Sequence, residues 1–107
     1  MRNKLTLFIA SKDQHGKQLS AQWIVAAKRY LATHCGGFTA QQVEGGWVDG
    51  NGILIEEPIT LVWAFSGKPK ATLIKLGERF MLEYGQSSGQ SAVLFEVNGA
   101  AYLHTIK

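Results

Sequence analysis

Leu5, Leu7 and Ile9 alternate with Lys4, Thr6, Phe8 and Ala10. A period of two sends successive side chains to opposite faces, so this stretch predicts a strand over Leu5–Ala10 with one strongly apolar face. Ser11 to Gln18 is polar and predicts a loop. The period then changes. Trp23, Ala27, Tyr30, Leu31 and His34 recur at helical spacing, while Lys28, Arg29 and Thr33 fall off that face, and a helix is expected over Ala21–His34. Ser20 is placed to cap its first turn. Leu19 and Ile24 stand at staple spacing. Cys35-Gly36-Gly37 ends the helix, because a glycine there can take the left-handed conformation.

Phe38–Val48 reads as a second strand, with a bulge or bend at Glu44-Gly45-Gly46. Asp49-Gly50-Asn51-Gly52 is a dense turn signal, and Ile53–Phe65 is the return strand. Pro58 has no N–H to give a ladder, which argues for an edge position or a bulge at that point. Ile59 to Phe65 is the most apolar stretch and belongs near the sheet centre. Ser66-Gly67-Lys68-Pro69 opens a second helix over Ala71–Tyr84, with Leu73, Leu76, Gly77, Phe80 and Tyr84 inward. Gly85 is expected to stop it, leaving Gln86 to Gln90 as a flexible loop. Ala92–Val97 and Ala100–Ile106 flank Asn98-Gly99, the strongest short hairpin signal.

The element order is therefore βαββαββ. Without its last strand it is the split βαβ pattern. The expected fold class is α+β: a ferredoxin-like βαββαβ sandwich with an extra C-terminal hairpin strand and two helices on one face of an antiparallel sheet. With 107 residues and no repeat or linker, one domain over 1–107 is expected.

Such a sheet has a second face without helices. A two-residue turn pairs Val97 with Ala100, Phe95 with Tyr102 and Val93 with His104. The other side of the hairpin carries Leu94, Glu96, Ala101 and Leu103, so both faces are substantially apolar. Phe8 and the alternation of Ile59, Leu61, Trp63 and Phe65 add to this. An uncovered apolar face marks an interface or a ligand groove. Phe8, Leu94, Phe95, Tyr102 and Leu103 are the candidate contacts of a homodimer or higher oligomer, although pattern alone does not say which hairpin pair points outward. The alternative is that the chain from Glu44 to Pro58 folds over that face.

Composition narrows the chemistry. The net charge is +3, and the basic residues are spread along the chain rather than gathered in one stripe. Nucleic acid is thereby a disfavoured partner, kept only as a weak-binding reading through the basic residues and exposed aromatics. No apolar run approaches the roughly 20 residues that span a bilayer. Met1-Arg2-Asn3-Lys4 runs straight into the first strand without a signal-type segment, so no membrane partner and a cytoplasmic location are expected. Cys35 is the one cysteine. It reads as a nucleophile or, more plainly, as a small residue closing a helix.

His15, His34 and His104 are far apart, and no metal spacing links them, so no metal and no cofactor are expected. Asp49, Asn51 and Gly52 mimic the start of a calcium loop, but its twelfth position is Thr60 rather than a glutamate. Ser66 and Gly67 at a helix start, with Lys68 and Lys70, offer a short anion-type motif from which Pro69 removes one donor. Glu44, Glu56 and Glu57 flank the central hairpin, where carboxylates do acid–base work or are simply solvated. The candidate ligand-binding residues are His15 and Lys17 in the first loop, and Glu96, Tyr102 and His104 in the last hairpin.

Ser20-Ala21-Gln22-Trp23, Gly37-Phe38-Thr39, Gly46-Trp47-Val48-Asp49, Gly52-Ile53 and Glu57-Pro58 resemble the pattern of a family of small bacterial proteins known only as a domain of unknown function. Gly85-Gln86 followed by Ser91-Ala92-Val93-Leu94 is similar too. The family has no established activity, so the resemblance implies a fold and little more. Its members often look exported, and this chain shows no signal segment. The βαββ start also looks like the PII-like signalling proteins, which bind nucleotides between subunits, but a convincing phosphate loop is missing. The leading expectation is a non-enzymatic ligand-binding or regulatory module, acting as a homo-oligomer. The alternative is a small enzyme of the dimeric α+β barrel type, with a pocket between two sheets and His104 acting with Glu96 or Tyr102 as acid–base groups.

Overall fold

A computed structural model describes residues 2–13, 16–19 and 21–106. Among these the order is β1 (Asn3–Ala10), α1 (Gln22–Cys35), β2 (Thr39–Val48), β3 (Leu54–Ser66), α2 (Lys70–Ser88), β4 (Ala92–Val97) and β5 (Ala100–Thr105). The strands form one sheet in the order β2-β3-β1-β4-β5, and each neighbouring pair is antiparallel. This is an α+β fold with a five-stranded antiparallel sheet and two helices.

Register decides which side chains meet the helices. Leu5 stands opposite Ala64 on one side and Val97 on the other, and Leu7 stands between Val62 and Phe95. These residues share a face and are buried, together with Ala27 and Leu31 of α1 and Leu73, Phe80, Met81 and Tyr84 of α2. At about 25 cal/mol per Å² of apolar surface removed from water, this layer is the main source of stability. The last hairpin has the expected register, with Val97↔Ala100, Phe95↔Tyr102 and Val93↔His104. Phe95 is therefore core: it is fully buried, and the ring of Tyr102 stacks on it at 5.2 Å. Its placement among interface candidates is corrected, because the pleat sends Phe95 and Tyr102 to the helices. Leu94 and Leu103 take the opposite face.

Two further expectations change. Gly85 does not stop α2, which runs on to Ser88 and ends where Gly89 takes the left-handed conformation at φ 74. Gly85 is instead buried, and an added methyl there would lie 2.7 Å from Val93 and 2.8 Å from Ile106. The polar run after it is a helical turn in which Gln86 and Ser87 face solvent and the Ser88 hydroxyl donates to the Tyr84 carbonyl. The Ser20 cap lies outside the described residues; α1 begins after Ala21 and ends, as expected, on a left-handed Gly36.

Pro58 sits in β3, an interior strand, yet at a local edge. The β1 ladder ends at Ala10↔Ile59, while β2 and β3 stay paired out to Val48↔Leu54. The Pro58 carbonyl accepts from the Ser11 N–H. Its nitrogen faces that same side, just past the ladder, so the missing donor costs no pairing. Beyond this point β2 and β3 form a two-stranded arm. It exposes Trp47, Val48, Ile53 and Leu54, so it does not fold back over the open sheet face.

Gly77 provides the sharpest test of the helix–sheet contact. A methyl on it would meet ring carbons of Phe95 at 2.5 and 2.7 Å and Leu5 at 3.0 Å. Overpacking of this kind costs about 1–3 kcal/mol, which outweighs the roughly 1 kcal/mol that alanine gains over glycine in a helix. Gly77→Ala is expected to lower urea-unfolding stability, and a raised midpoint would mean that α2 stands farther from the sheet.

Candidate functional site

The shortness of one ladder creates the main cleft. β1 and β4 pair only from Leu5↔Val97 to Leu7↔Phe95. Phe8 to Ala10 and Ala92 to Leu94 then part, and the ring of Tyr84 from α2 fills the floor of the split. The Ala10 N–H, which has no β4 partner, donates to the Tyr84 hydroxyl at 2.9 Å. A cavity of about 170 Å³ lies here, lined by Phe8, Glu57, Ile59, Tyr84 and Leu94 among others. It adjoins one of about 470 Å³ lined by Lys12, Asp13, Trp47 and Ser91, and Glu57, Gln90 and Ala92 belong to both. The Gln90 amide donates to the Lys12 carbonyl at 2.8 Å and ties the first loop to the rim.

Glu57 is the acid common to both cavities. Burial pushes its carboxyl above the ordinary glutamate value, and the Lys12 ammonium pulls part of the way back. Burial likewise pushes the Tyr84 phenol up to about 12, partly offset by the Ala10 hydrogen bond, while the nearby Glu57 charge raises it further. Tyr84 is thus a neutral hydrogen-bonding group at physiological pH. The arrangement is a partly desolvated carboxylate between apolar and aromatic walls. It suits a cationic or electron-poor group, which gains from both the carboxylate and the aromatic faces.

The sequence-picked residues scatter. His15 lies outside the described residues. Lys17 is exposed, and its backbone N–H donates to Asp13 Oδ1 at 2.8 Å. His104 lies on the helix side, stacked on Phe95 at 5.9 Å and 3.6 Å from the Glu78 carboxylate. Tyr102 shares that side, but Glu96, opposite Ala101, points to the other. The sheet therefore separates His104 from Glu96, and they form no acid–base pair. Phe8, Leu94 and Leu103 do share the open face, with Leu61, Trp63 and Phe65. The acidic trio also divides: Glu57 faces the cleft, while Glu56 hydrogen-bonds Glu44 on the exposed opposite side of the arm, which raises the Glu56 carboxyl. Asp49 Oδ1 accepts from the backbone N–H groups of Asn51 and Ile53, so its carboxylate shapes the turn. Ser66 Oγ accepts from the Lys68 N–H in the same way.

Glu57 was readable as distinct, since the period of two aligns it with Ile55, Ile59 and Leu61 rather than with Glu56. In the sequence Tyr84 reads only as an inward residue of the helix, and Gln90 as part of the Gln86 to Gln90 loop expected to meet a ligand, so neither was picked out as a site residue.

No family model and no curated protein matches the chain. Solved structures do. A phage SAM lyase in complex with S-methyl-5'-thioadenosine superposes with a TM-score of 0.74 at 13% identity, covering 96% of this chain and 88% of that one. A phage SAM lyase in the apo state gives 0.73 at 14% identity, covering 98% and 90%. The chain shares the fold of these proteins over nearly its whole length. Among the described residues, no helix is long and apolar enough to cross a membrane.

The Glu57 environment makes a titration test. A carboxyl raised by burial stabilises the fold only when protonated, so its contribution is lost as pH rises through the folded-state pKa. Glu57→Gln is expected to stabilise the protein at neutral pH, with the gain vanishing under acid. Lys12→Ala should move the Glu57 carboxyl further up by carbon-detected NMR, and a downward move would remove Lys12 from the site.

Proposed function

We propose that this protein is a small enzyme that binds an adenosyl sulfonium in the Glu57 cleft and releases S-methyl-5'-thioadenosine. The observation that carries the reading is Glu57 itself, an acid held partly out of water in an aromatic-walled cleft. The fold shared with the phage SAM lyase supports the choice of ligand. It favours the enzymatic alternative over a non-enzymatic regulatory module. The strand order β2-β3-β1-β4, with both connecting helices on one face, supports a ferredoxin-like ancestry, and β5 is then the added edge strand.

The chemistry asks little of the protein. S-adenosylmethionine carries a sulfonium and, four atoms along its aminobutyrate arm, a carboxylate. If that carboxylate attacks the carbon bonded to sulfur, a C–O bond forms and the C–S bond breaks. The electron pair stays on sulfur as the neutral thioether, the arm closes to a lactone, and no water or proton is consumed. Opposite charges vanish in this step, so a site poor in water favours it. Glu57 would hold the ammonium of the arm, Tyr84 would offer a neutral hydrogen bond, and Trp47 or Phe8 would face the adenosine ring.

The open sheet face supports a second element of the proposal. Phe8, Leu61, Trp63, Leu94 and Leu103 form an apolar layer beside the cleft, with Leu103 69% exposed and Phe65 50% exposed. A second copy of the chain across this layer would close the cleft from water and give the pocket between sheets.

Incubation with S-adenosylmethionine is expected to yield S-methyl-5'-thioadenosine by liquid chromatography, and Glu57→Gln is expected to abolish this while still binding the neutral thioether. Absence of both turnover and binding by the wild type would end the proposal. Leu94→Asp with Leu103→Lys should dissociate the assembly in sedimentation with helical circular dichroism retained. Charges at Phe95 and Tyr102 should instead unfold the protein, because buried unpaired charge costs several kcal/mol. A wild type that sediments as a monomer would refute the second-copy contact.

A further inference from the structure

The helix layer holds a second cleft that the Glu57 reading does not use. α1 and α2 pack side by side, and Tyr30 bridges them by donating its hydroxyl proton to the Leu76 carbonyl at 2.8 Å. Above this bridge lies an open groove of about 380 Å³. Its floor is aromatic. The Tyr30 ring sits 4.9 Å from Phe80 and 4.5 Å from His34, and Trp23 meets Phe80 edge-on at 6.2 Å. The size falls at the lower end of small-molecule sites.

The rim is charged unevenly. Arg29 and Arg79 line the groove with Glu83 as its one carboxylate, a balance of +1 with His34 neutral. Arg79 and Glu83 both act electrostatically on the Tyr30 phenol, which burial pushes upward, so both charges reach the floor. Among the described residues the one ion pair joins His104 and Glu78, and neither arginine has a carboxylate partner. Unpaired guanidinium groups beside a part-buried aromatic floor are a recognition surface for a flat anion. The fork geometry grips phosphate or carboxylate oxygens, and the rings stack on a planar group.

We propose that this groove binds a small ligand made of a planar aromatic ring bearing an anionic group, with Arg29 and Arg79 holding the anion and Tyr30 with Trp23 facing the ring. The site lies across the helix layer from the open sheet face. Its ligand has the opposite charge from the one that Glu57 would receive, so the two proposals stand or fall separately. Phosphate and carboxylate carriers share this chemistry, and the test contains both.

2-Naphthyl phosphate and 2-naphthoate are titrated into the full chain by calorimetry, with 2-naphthol as the uncharged control. At least one anion is expected to bind with a Kd of about 1 mM or tighter, and which one binds tells phosphate from carboxylate. 2-Naphthol should bind the groove at least about tenfold more weakly than the naphthyl anion that binds, because it lacks the gripped group. Arg29→Ala with Arg79→Ala should remove the binding, and Arg79→Lys should keep part of it. Both arginines are exposed, so folding should survive, and circular dichroism checks this. The Trp23 indole N–H should shift in NMR spectra on ligand addition. Failure of both anions to bind at 5 mM (about fivefold above the expected Kd), or binding unchanged in the double variant, would overturn the proposal.

Discussion

The hydrogen bond from the Ala10 N–H to the Tyr84 hydroxyl fixes where the sheet stops being a sheet. β1 is the middle strand, and its two neighbours would close on each other past its end if nothing held them apart. The phenol takes the place that a backbone carbonyl of β4 would otherwise fill. This N–H is part-buried, so leaving it without a partner would cost up to about 1–3 kcal/mol, and the phenol stands in for a ladder bond. Everything at the candidate site follows. β4 departs, Glu57 on the longer β3 faces the gap, and Gln90 at the end of α2 reaches the loop that carries Lys12.

The length of α2 is the second part of the same device. Tyr84 reaches Ala10 from a helix that continues through Gly85, whose missing side chain lets the last turn lie against Val93 and Ile106. Gly77 does the same one layer up, against Phe95 and Leu5. The two glycines set the distance between helix and sheet. The floor of the cleft is thus positioned by the core rather than by a loop, which is what a site needs if it is to be formed before its ligand arrives.

Periodicity carried most of the architecture. The alternation in Leu5 to Ala10, the helical face from Trp23 to His34 and the Asn98-Gly99 turn each specify their element locally, and the hairpin register follows from the two-residue turn. What pattern could not tell was tertiary. A glycine that ends a helix and a glycine that admits a neighbouring strand look alike until the neighbour is known, and so Gly85 was misread while Gly36 was not. The two faces of the last hairpin are similarly apolar, and only docking of α2 shows that Phe95 is inward. The site was least legible. Glu57 carries no motif, and its character comes from burial, from Lys12 and from the end of a ladder two strands away.

If ligand chemistry sits in the split beside β1, bound product must lie there. A crystal of the protein soaked with S-methyl-5'-thioadenosine tests it most directly. Ligand density is expected between Glu57, Tyr84 and Trp47, with the thioether sulfur toward Glu57. Density confined to the groove between the helices, or to the outer surface of the hairpin arm, with the split empty would contradict it.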